Sequence, residues 1–355
     1  MRDNSFYRRA LPLVLLWLAL APPSVFAEDK NEAAGSEAAS SDFAACVQRL
    51  ALNSADMTTM GEIRARCRLS KGQEEAPVPP EVARPDNGAF GKKLTIDQEN
   101  VRKPFTIMAH RANYFLLAAY NFQGWSGTEF AANNQPALAD PKPIEAQFQI
   151  SGKMPLAVDM FDLPLDIYGG YTMRSFWQVY ASDQSSPFRE TDHEPEVWLQ
   201  LRPGWHFLGW TNSLNTIGLN HQSNGQAGTL SRSWNRATAG TVWEKGNFLL
   251  MPRLWYRFPE DEANDDNPHI IDYLGHGELT LGWRHGANTF TALLRNNLES
   301  GFSRGAVQLG WSFPVFSFPY FRGYIQYFSG YGESLIDYDH YVNRIGIGIS
   351  LTDLL

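Results

Sequence analysis

Ile345-Gly346-Ile347-Gly348-Ile349-Ser350-Leu351 places an aliphatic side chain at every odd position and a small or polar one at every even position. A period of two is the mark of a β-strand whose two faces meet different surroundings. The same alternation recurs upstream. In Val197-Trp198-Leu199-Gln200-Leu201-Arg202 the odd positions are again aliphatic. Around Tyr256 the apolar set is even (Phe248, Leu250, Leu254, Tyr256, Phe258), with Arg253 and Arg257 on the opposite face. Next, Leu279, Leu281 and Trp283 oppose Glu278 and Arg284, with Asp272 upstream in phase with the polar set. About twelve such segments follow Phe105, divided by Gly, Pro, Asn and Asp clusters, with no helical period among them. The body is all-β.

Local alternation fits a soluble sandwich, with aliphatics inward, as well as a membrane barrel, with aliphatics toward lipid. Three features favour the barrel. The segments approach ten residues, the length of a tilted membrane-crossing strand. Aromatics gather near segment ends, as in Trp255-Tyr256, Phe318-Pro319-Tyr320-Phe321 and Tyr327-Phe328. Short connections (Glu244-Lys245-Gly246; His285-Gly286-Ala287) alternate with long ones (Ser182 to Glu194; Pro259 to His269), the layout of outer-membrane barrels. The expected architecture is a transmembrane antiparallel β-barrel of about twelve strands over residues 105–355.

The composition agrees. The 355 residues are 43% hydrophobic, 19% charged and 13% aromatic, which excludes both a helical membrane bundle and wholesale disorder. Arg2, Arg8 and Arg9 precede an apolar run from Ala10 to Ala21 and the small-residue site Ser24-Val25-Phe26-Ala27. Residues 1–27 are therefore expected to be a cleaved export signal. The net charge is −8, and −10 once the +2 of that segment is removed, so a nucleic-acid partner is not expected. Residues 28–104 form the expected periplasmic extension. It contains an Ala/Ser/Glu-rich lead, a small helical hairpin and a linker through Pro77, Pro79, Pro80 and Pro85. Phe43, Cys46, Val47, Leu50 and Ala51 make an amphipathic stripe, and Met60, Ile63 and Cys67 a facing one. The only two cysteines, Cys46 and Cys67, are expected to pair in an oxidising compartment.

Several chemical motifs can be set aside. There is no His-Glu-x-x-His pair and no cysteine cluster for zinc. Gly301-Phe302-Ser303-Arg304-Gly305 has the spelling of a nucleophile elbow, but it joins two β segments rather than a strand and a helix, and it reads as a hairpin loop. The stretch from Ser213 to Ala239 is different. Arg232, Trp234 and Arg236 share one face; an arginine facing lipid near the midplane costs about 2–4 kcal/mol, so this face belongs to the lumen. Asn235 then points outward. His221 and Ser223, in phase with Ile217 and Leu219, point outward too. A hairpin through residues 224–230 would set the three on one exterior patch. A nucleophile, a base and an orienting group are the requirements of acyl transfer, and on that face the substrate at hand is lipid.

The segments Asn220-His221-Gln222-Ser223-Asn224-Gly225 and Ser231-Arg232-Ser233-Trp234-Asn235-Arg236 closely resemble the signature of the outer-membrane phospholipase A family. So do Ser185-Ser186-Pro187-Phe188-Arg189-Glu190-Thr191, Asp265-Asp266-Asn267-Pro268 and the run from Ser329 to Tyr338. The resemblance runs from about residue 110 to the end and leaves out the cysteine-containing region. It implies a calcium-dependent barrel hydrolysing phospholipid and lysophospholipid acyl esters at either position, activated as a homodimer. It further implies Ser223 as nucleophile, His221 as base and Asn235 as the group orienting the imidazole. The implied calcium ligands are the Ser231 hydroxyl, the Gln226 main-chain carbonyl, the Asp266 carboxylate and the Ser185 carbonyl from a second subunit. Two departures stand out. Gln226-Ala227-Gly228 lacks the acidic residue that familiar members carry in that loop, which predicts weaker calcium binding, and the chain ends in Leu355 rather than an aromatic. The rival reading is a non-enzymatic barrel. Against a wide pore, Arg174, Arg232, Arg236, Arg253 and Arg257 face Asp272 and Glu278 in the expected lumen.

Overall fold

A computed structural model describes residues 89–316, 318 and 320–352, with residue 48 in isolation. The proposed export signal and the Cys46–Cys67 hairpin lie outside the described residues. Twelve antiparallel strands close into a barrel. In chain order these are β1 (Asn113–Asn121), β2 (Ile144–Ala157), β3 (Leu165–Trp177), β4 (Phe188–Leu201), β5 (Trp210–Ser223), β6 (Ser233–Lys245), β7 (Phe248–Arg257), β8 (Gly277–His285), β9 (Asn288–Asn296), β10 (Gly305–Pro314), β11 (Arg322–Gly330) and β12 (Val342–Thr352). Each strand pairs with its sequence neighbour, and β12 returns to β1. Two short strands, Met108–Ala109 and Trp205–Phe207, add to β2 and β5. Closure leaves no unpaired edge among the barrel strands, a condition for crossing a bilayer.

The alternation seen in the sequence is the alternation of the wall. Ile345, Ile347 and Leu351 are 46–58% exposed on the outside, while Arg344 and Ser350 are buried toward the lumen. Val197, Leu199, Ile217, Leu219 and Leu254 belong to the same apolar exterior. Gly348 serves a steric purpose. It sits at a register shift between β12 and β1, where a β-carbon would meet the Phe115 carbonyl oxygen at 1.9 Å.

The lumen is filled and ionic. Arg236 reaches Glu194 at 3.2 Å, Arg253 reaches Glu196 at 3.2 Å, Arg111 makes a two-pronged contact with Glu194 at 2.7 and 2.8 Å, and Arg174 reaches Glu333 at 3.1 Å. Two of the charges assigned to this interior lie elsewhere. Asp272 sits on the last of three described helices, α1 (Ala89–Asn100), α2 (Thr128–Ala132) and the short α3 (Ile270–Leu274), above the wall, half-exposed beside His269. Arg232 precedes β6 and donates to the carbonyls of Thr229 and Ser231. Both fall outside the regular strands, where the period of two no longer fixes direction.

One connection is shorter than the sequence suggests. Residues 188–194, read as part of a long loop, begin β4. Their lumen face is Glu190, Asp192 and Glu194, and Arg189 is buried as well, held by Glu145 and Asp337. Charges paired inside a barrel hide a strand from a hydropathy reading.

A helix, α1 (Ala89–Asn100), occupies the stretch read as linker. Its Phe90 and Leu94 pack on Leu214, Val242 and Leu249, its Asp97 pairs with Lys153 at 2.7 Å, and its Gly91 N–H donates to Glu244 at 3.1 Å. These contacts stopper the lumen at the rim that carries the strand ends Asn113 and Thr352. At the other rim, Leu335 and Tyr338 of the β11–β12 loop, with Ile270 and Leu274 of α3, cover Trp234 and Trp255. Between the two stoppers a cavity of about 390 Å³ remains.

Candidate active site

The side chains of His221, Ser223 and Asn235 come together at one rim. β5 and β6 pair so that His221 faces Asn235 and Ser223 faces Ser233. His221 Nδ1 lies 2.8 Å from Asn235 Oδ1. Asn235 is exposed, whereas its neighbours Trp234 and Arg236 are buried toward the lumen. Ser223 closes β5 two residues after His221, on the same outer face. Among the described residues no hydrogen bond joins Ser223 to His221; such contacts are often long in ligand-free enzymes.

The loop between the strands, residues 224–232, is pinned by a residue the sequence reading did not single out. Asn224 is buried, and its amide donates to Glu190 at 3.0 Å and to the Leu230 carbonyl at 2.9 Å. Its carbonyl oxygen accepts from the backbone of Gln226 and Arg232. The buried Glu190 of β4 thus holds the turn that follows Ser223. Gly225 and Gly228 take positive φ there, +66° and +64°, which lets the chain reverse.

Three of the four residues implied as metal ligands converge on this rim. Ser231 Oγ donates to Asp266 Oδ2, Ser233 Oγ approaches Asp266 Oδ1 at 3.4 Å, and Gln226 lies in the same pinned loop. Ser185 sits in the β3–β4 loop on the same rim, in a left-handed conformation with its N–H on the Ser182 carbonyl at 3.4 Å. It is not joined to Ser231 or Asp266 within this chain among the described residues. An addition to the expected set is Glu260. Its carboxylate, with those of Asp265 and Asp266, offers oxygens all within 4.8 Å of one another. Burial pushes the Glu260 carboxyl above its ordinary value, with Asp265 and Asp266 adding to the effect and Arg257 opposing it. Asn235 Nδ2 also points at Glu260 Oε1, 3.5 Å away. The chain offers an all-oxygen donor set of hydroxyl, carbonyl and carboxylates, which fits a hard cation such as Ca²⁺.

Glu260 was missed because it lies five residues before Asp265, the nearest residue of the recognised motifs, in a Pro-Glu-Asp-Glu loop of ordinary solvated composition. Gly301–Gly305 is the hairpin loop expected: Ser303 Oγ donates to the Ser300 carbonyl at 2.8 Å between β9 and β10.

A closed barrel with an aliphatic exterior and a stoppered lumen defines an outer-membrane-type β-barrel. The profile of the phospholipase A1 family matches residues 91–351. The phospholipase A1 of Escherichia coli is 35% identical over 257 residues, 71% of this chain and 83% of that protein. That of Klebsiella pneumoniae is 34% identical over 269 residues, 75% of this chain and 88% of that protein. The crystal structure of the Salmonella typhi outer membrane phospholipase dimer with bound calcium superposes with a TM-score of 0.66 at 34% identity, covering 72% of this chain and 95% of the other. The chain belongs to the phospholipase A1 family and is a phospholipase.

Proposed function

We propose that the protein hydrolyses acyl esters of phospholipid and lysophospholipid, at sn-1 and sn-2, in the outer membrane, with Ser223, His221 and Asn235 as the catalytic set and its site toward the outer leaflet. The observation that carries this reading is the 2.8 Å contact of His221 Nδ1 with Asn235 Oδ1 on the lipid-facing wall, with Ser223 on the same face. Because Nδ1 donates to the amide, Nε2 is the free base. It removes the Ser223 proton as Oγ bonds to the ester carbonyl carbon, and returns that proton to the departing glycerol oxygen. Water then repeats the sequence on the acyl-serine, releasing fatty acid and restoring Oγ–H. Asn235 holds the ring in the correct tautomer but, being neutral, stabilises the imidazolium less than a carboxylate would.

A calcium ion held by Ser231, Asp266, the Gln226 carbonyl and Glu260 would supply Lewis-acid stabilisation of the oxyanion. The Salmonella typhi relative, a dimer with bound calcium, supports both the ion and a homodimer of this chain; in that dimer the partner's Ser185 would add its carbonyl. A solved variant of the Escherichia coli enzyme, with alanine replacing an active-site asparagine, supports a role for Asn235. In the same reading residues 1–27 are the cleaved signal, and the remainder of the chain before the barrel unit is a periplasmic extension carrying a Cys46–Cys67 disulfide.

The test is fatty-acid release from mixed micelles by refolded protein, in calcium and in chelator. Wild type should be active in calcium only. Ser223→Ala should lose activity by at least ~10³-fold, as removal of a nucleophile does elsewhere. Activity surviving both the substitution and the chelator would sink the mechanism.

A further inference from the structure

A second imidazole flanks the nucleophile. In the β4–β5 pairing His193 is the direct partner of Ser223, so the two side chains stand next to each other on the outer wall. Facing pairs of this kind bring β-carbons to about 4.5–5.5 Å. The His193 ring is oriented from the far side: Tyr171 of β3 places its hydroxyl 2.5 Å from His193 Nδ1, and the two rings lie 6.1 Å apart. The opposite edge of the ring faces the turn after Ser223, where a β-carbon added at Gly225 would come within 3.9 Å of His193 Cδ2 and 4.0 Å of Nε2. His221, by contrast, is committed on β6 to Asn235. Ser223 thus has a base along its own strand and a separate, oriented nitrogen across the sheet, displaced toward the rim.

We propose that His193 is a specificity-determining residue whose Nε2–H, set by the Tyr171 hydroxyl on Nδ1, donates a hydrogen bond to the phosphodiester of the lipid whose ester is at Ser223. In a glycerophospholipid lying in the leaflet, the phosphate is nearer the water than the ester carbonyl. Along β5, the direction from Ser223 to Gly225 is the direction toward the rim. The nitrogen next to Gly225 therefore lies at headgroup depth rather than at the depth of the reacting carbonyl. The glycine leaves space between ring and turn that any side chain would narrow. An aromatic or aliphatic residue at 193 would pack equally well on the outer wall, so packing alone does not call for an imidazole. The inference rests on Ser223 being the nucleophile.

The experiment compares kcat/KM of the full chain, refolded in detergent, on a phosphate-bearing and a phosphate-free ester. Lysophosphatidylcholine and p-nitrophenyl palmitate serve as the pair. For His193→Phe, kcat/KM on the lysophospholipid should fall about tenfold, the scale of one hydrogen bond to a charged group, with the p-nitrophenyl ester changed by less than about twofold. Tyr171→Phe should give a smaller loss of the same selectivity, and His193→Gln, which keeps an N–H donor, should recover part of it. Equal losses on both esters would place His193 at the reacting carbonyl or in the fold, and no loss would remove it from the site; either result overturns the proposal. Ser223→Ala separates the two readings: if that variant keeps activity on both esters, the nucleophile assignment fails, whatever the His193 ratio shows.

Discussion

Asn235 Oδ1 accepts from His221 Nδ1 at 2.8 Å while the same amide turns its nitrogen toward Glu260 Oε1 at 3.5 Å. The amide can serve both neighbours in only one flip state, because its oxygen must face the donor and its nitrogen the carboxylate. In the proposed mechanism Glu260 would therefore assist the imidazole indirectly, by favouring the flip state that keeps the ring in place. Asn235→Ala is expected to lower kcat by about 10–10²-fold with little change in KM, less than loss of Ser223, because only ring orientation is removed. The melting temperature should move by no more than a degree or two, since the side chain is exposed on the wall. A collapse of the melt in step with activity would show Asn235 to be structural instead.

The proposed calcium site gives a prediction opposite to the one drawn from the loop sequence alone. Gln226-Ala227-Gly228 lacks an acidic residue, but Glu260 approaches from the β7–β8 loop and completes a three-carboxylate group with Asp265 and Asp266. Removing the charge of one partly exposed carboxylate from a water-screened cation site costs on the order of 1 kcal/mol. Glu260→Gln should thus weaken calcium binding about five-fold, and Asp266→Asn more, because it also removes the acceptor of Ser231. Calorimetric titration in detergent reads this directly. Wild-type affinity unchanged by Glu260→Gln would leave that carboxylate outside the site.

The same group predicts a pH dependence. Burial, with Asp265 and Asp266, raises the Glu260 carboxyl in the folded protein, against the pull of Arg257. A carboxyl whose folded value exceeds its unfolded value favours the folded state when protonated. Its contribution is complete below the unfolded value, about 4.3, and is lost as pH rises through the folded one. Without metal, stability should therefore decline from acid toward neutral pH, and calcium, which favours the ionised form, should restore it chiefly at the neutral end. Melts with and without chelator at acid and at neutral pH check the sign. A calcium shift of equal size at both would contradict it.

Most of the wall was legible because a barrel strand writes its two environments into odd and even positions. Ile345, Ile347 and Leu351 face out and Arg344 and Ser350 in, so the phase of Arg236 sufficed to send Asn235, His221 and Ser223 outward. Legibility stopped where that rule stops. Arg232 and Asp272 fall outside the regular strands, and the start of β4 is masked by the buried Arg189, Glu190 and Asp192. Glu260 and Asn224 act through loop geometry, which no periodicity encodes. His193 needed the pairing register of β4 with β5, and the 14-residue lengths of both strands allow several registers on hydropathy alone.

The helix α1 was invisible for a different reason: it is short, lysine-bearing and follows a proline-rich stretch, yet only its Phe90 and Leu94 need be apolar to seat it on Leu214, Val242 and Leu249. Lodged at one end of a lumen otherwise braced by Arg–Glu pairs, it should block ion flow. In planar bilayers the wild type should show little steady current. Phe90→Asp places a charge against that apolar cluster, a penalty of several kcal/mol unless the helix leaves. The variant should therefore pass current, and adding Leu94→Asp should raise the open fraction, while micellar lipase activity on the outer wall stays near wild type. Conductance that stays at baseline in the double variant would mean that the ionic network, with the residues covering Trp234 and Trp255, seals the barrel without α1.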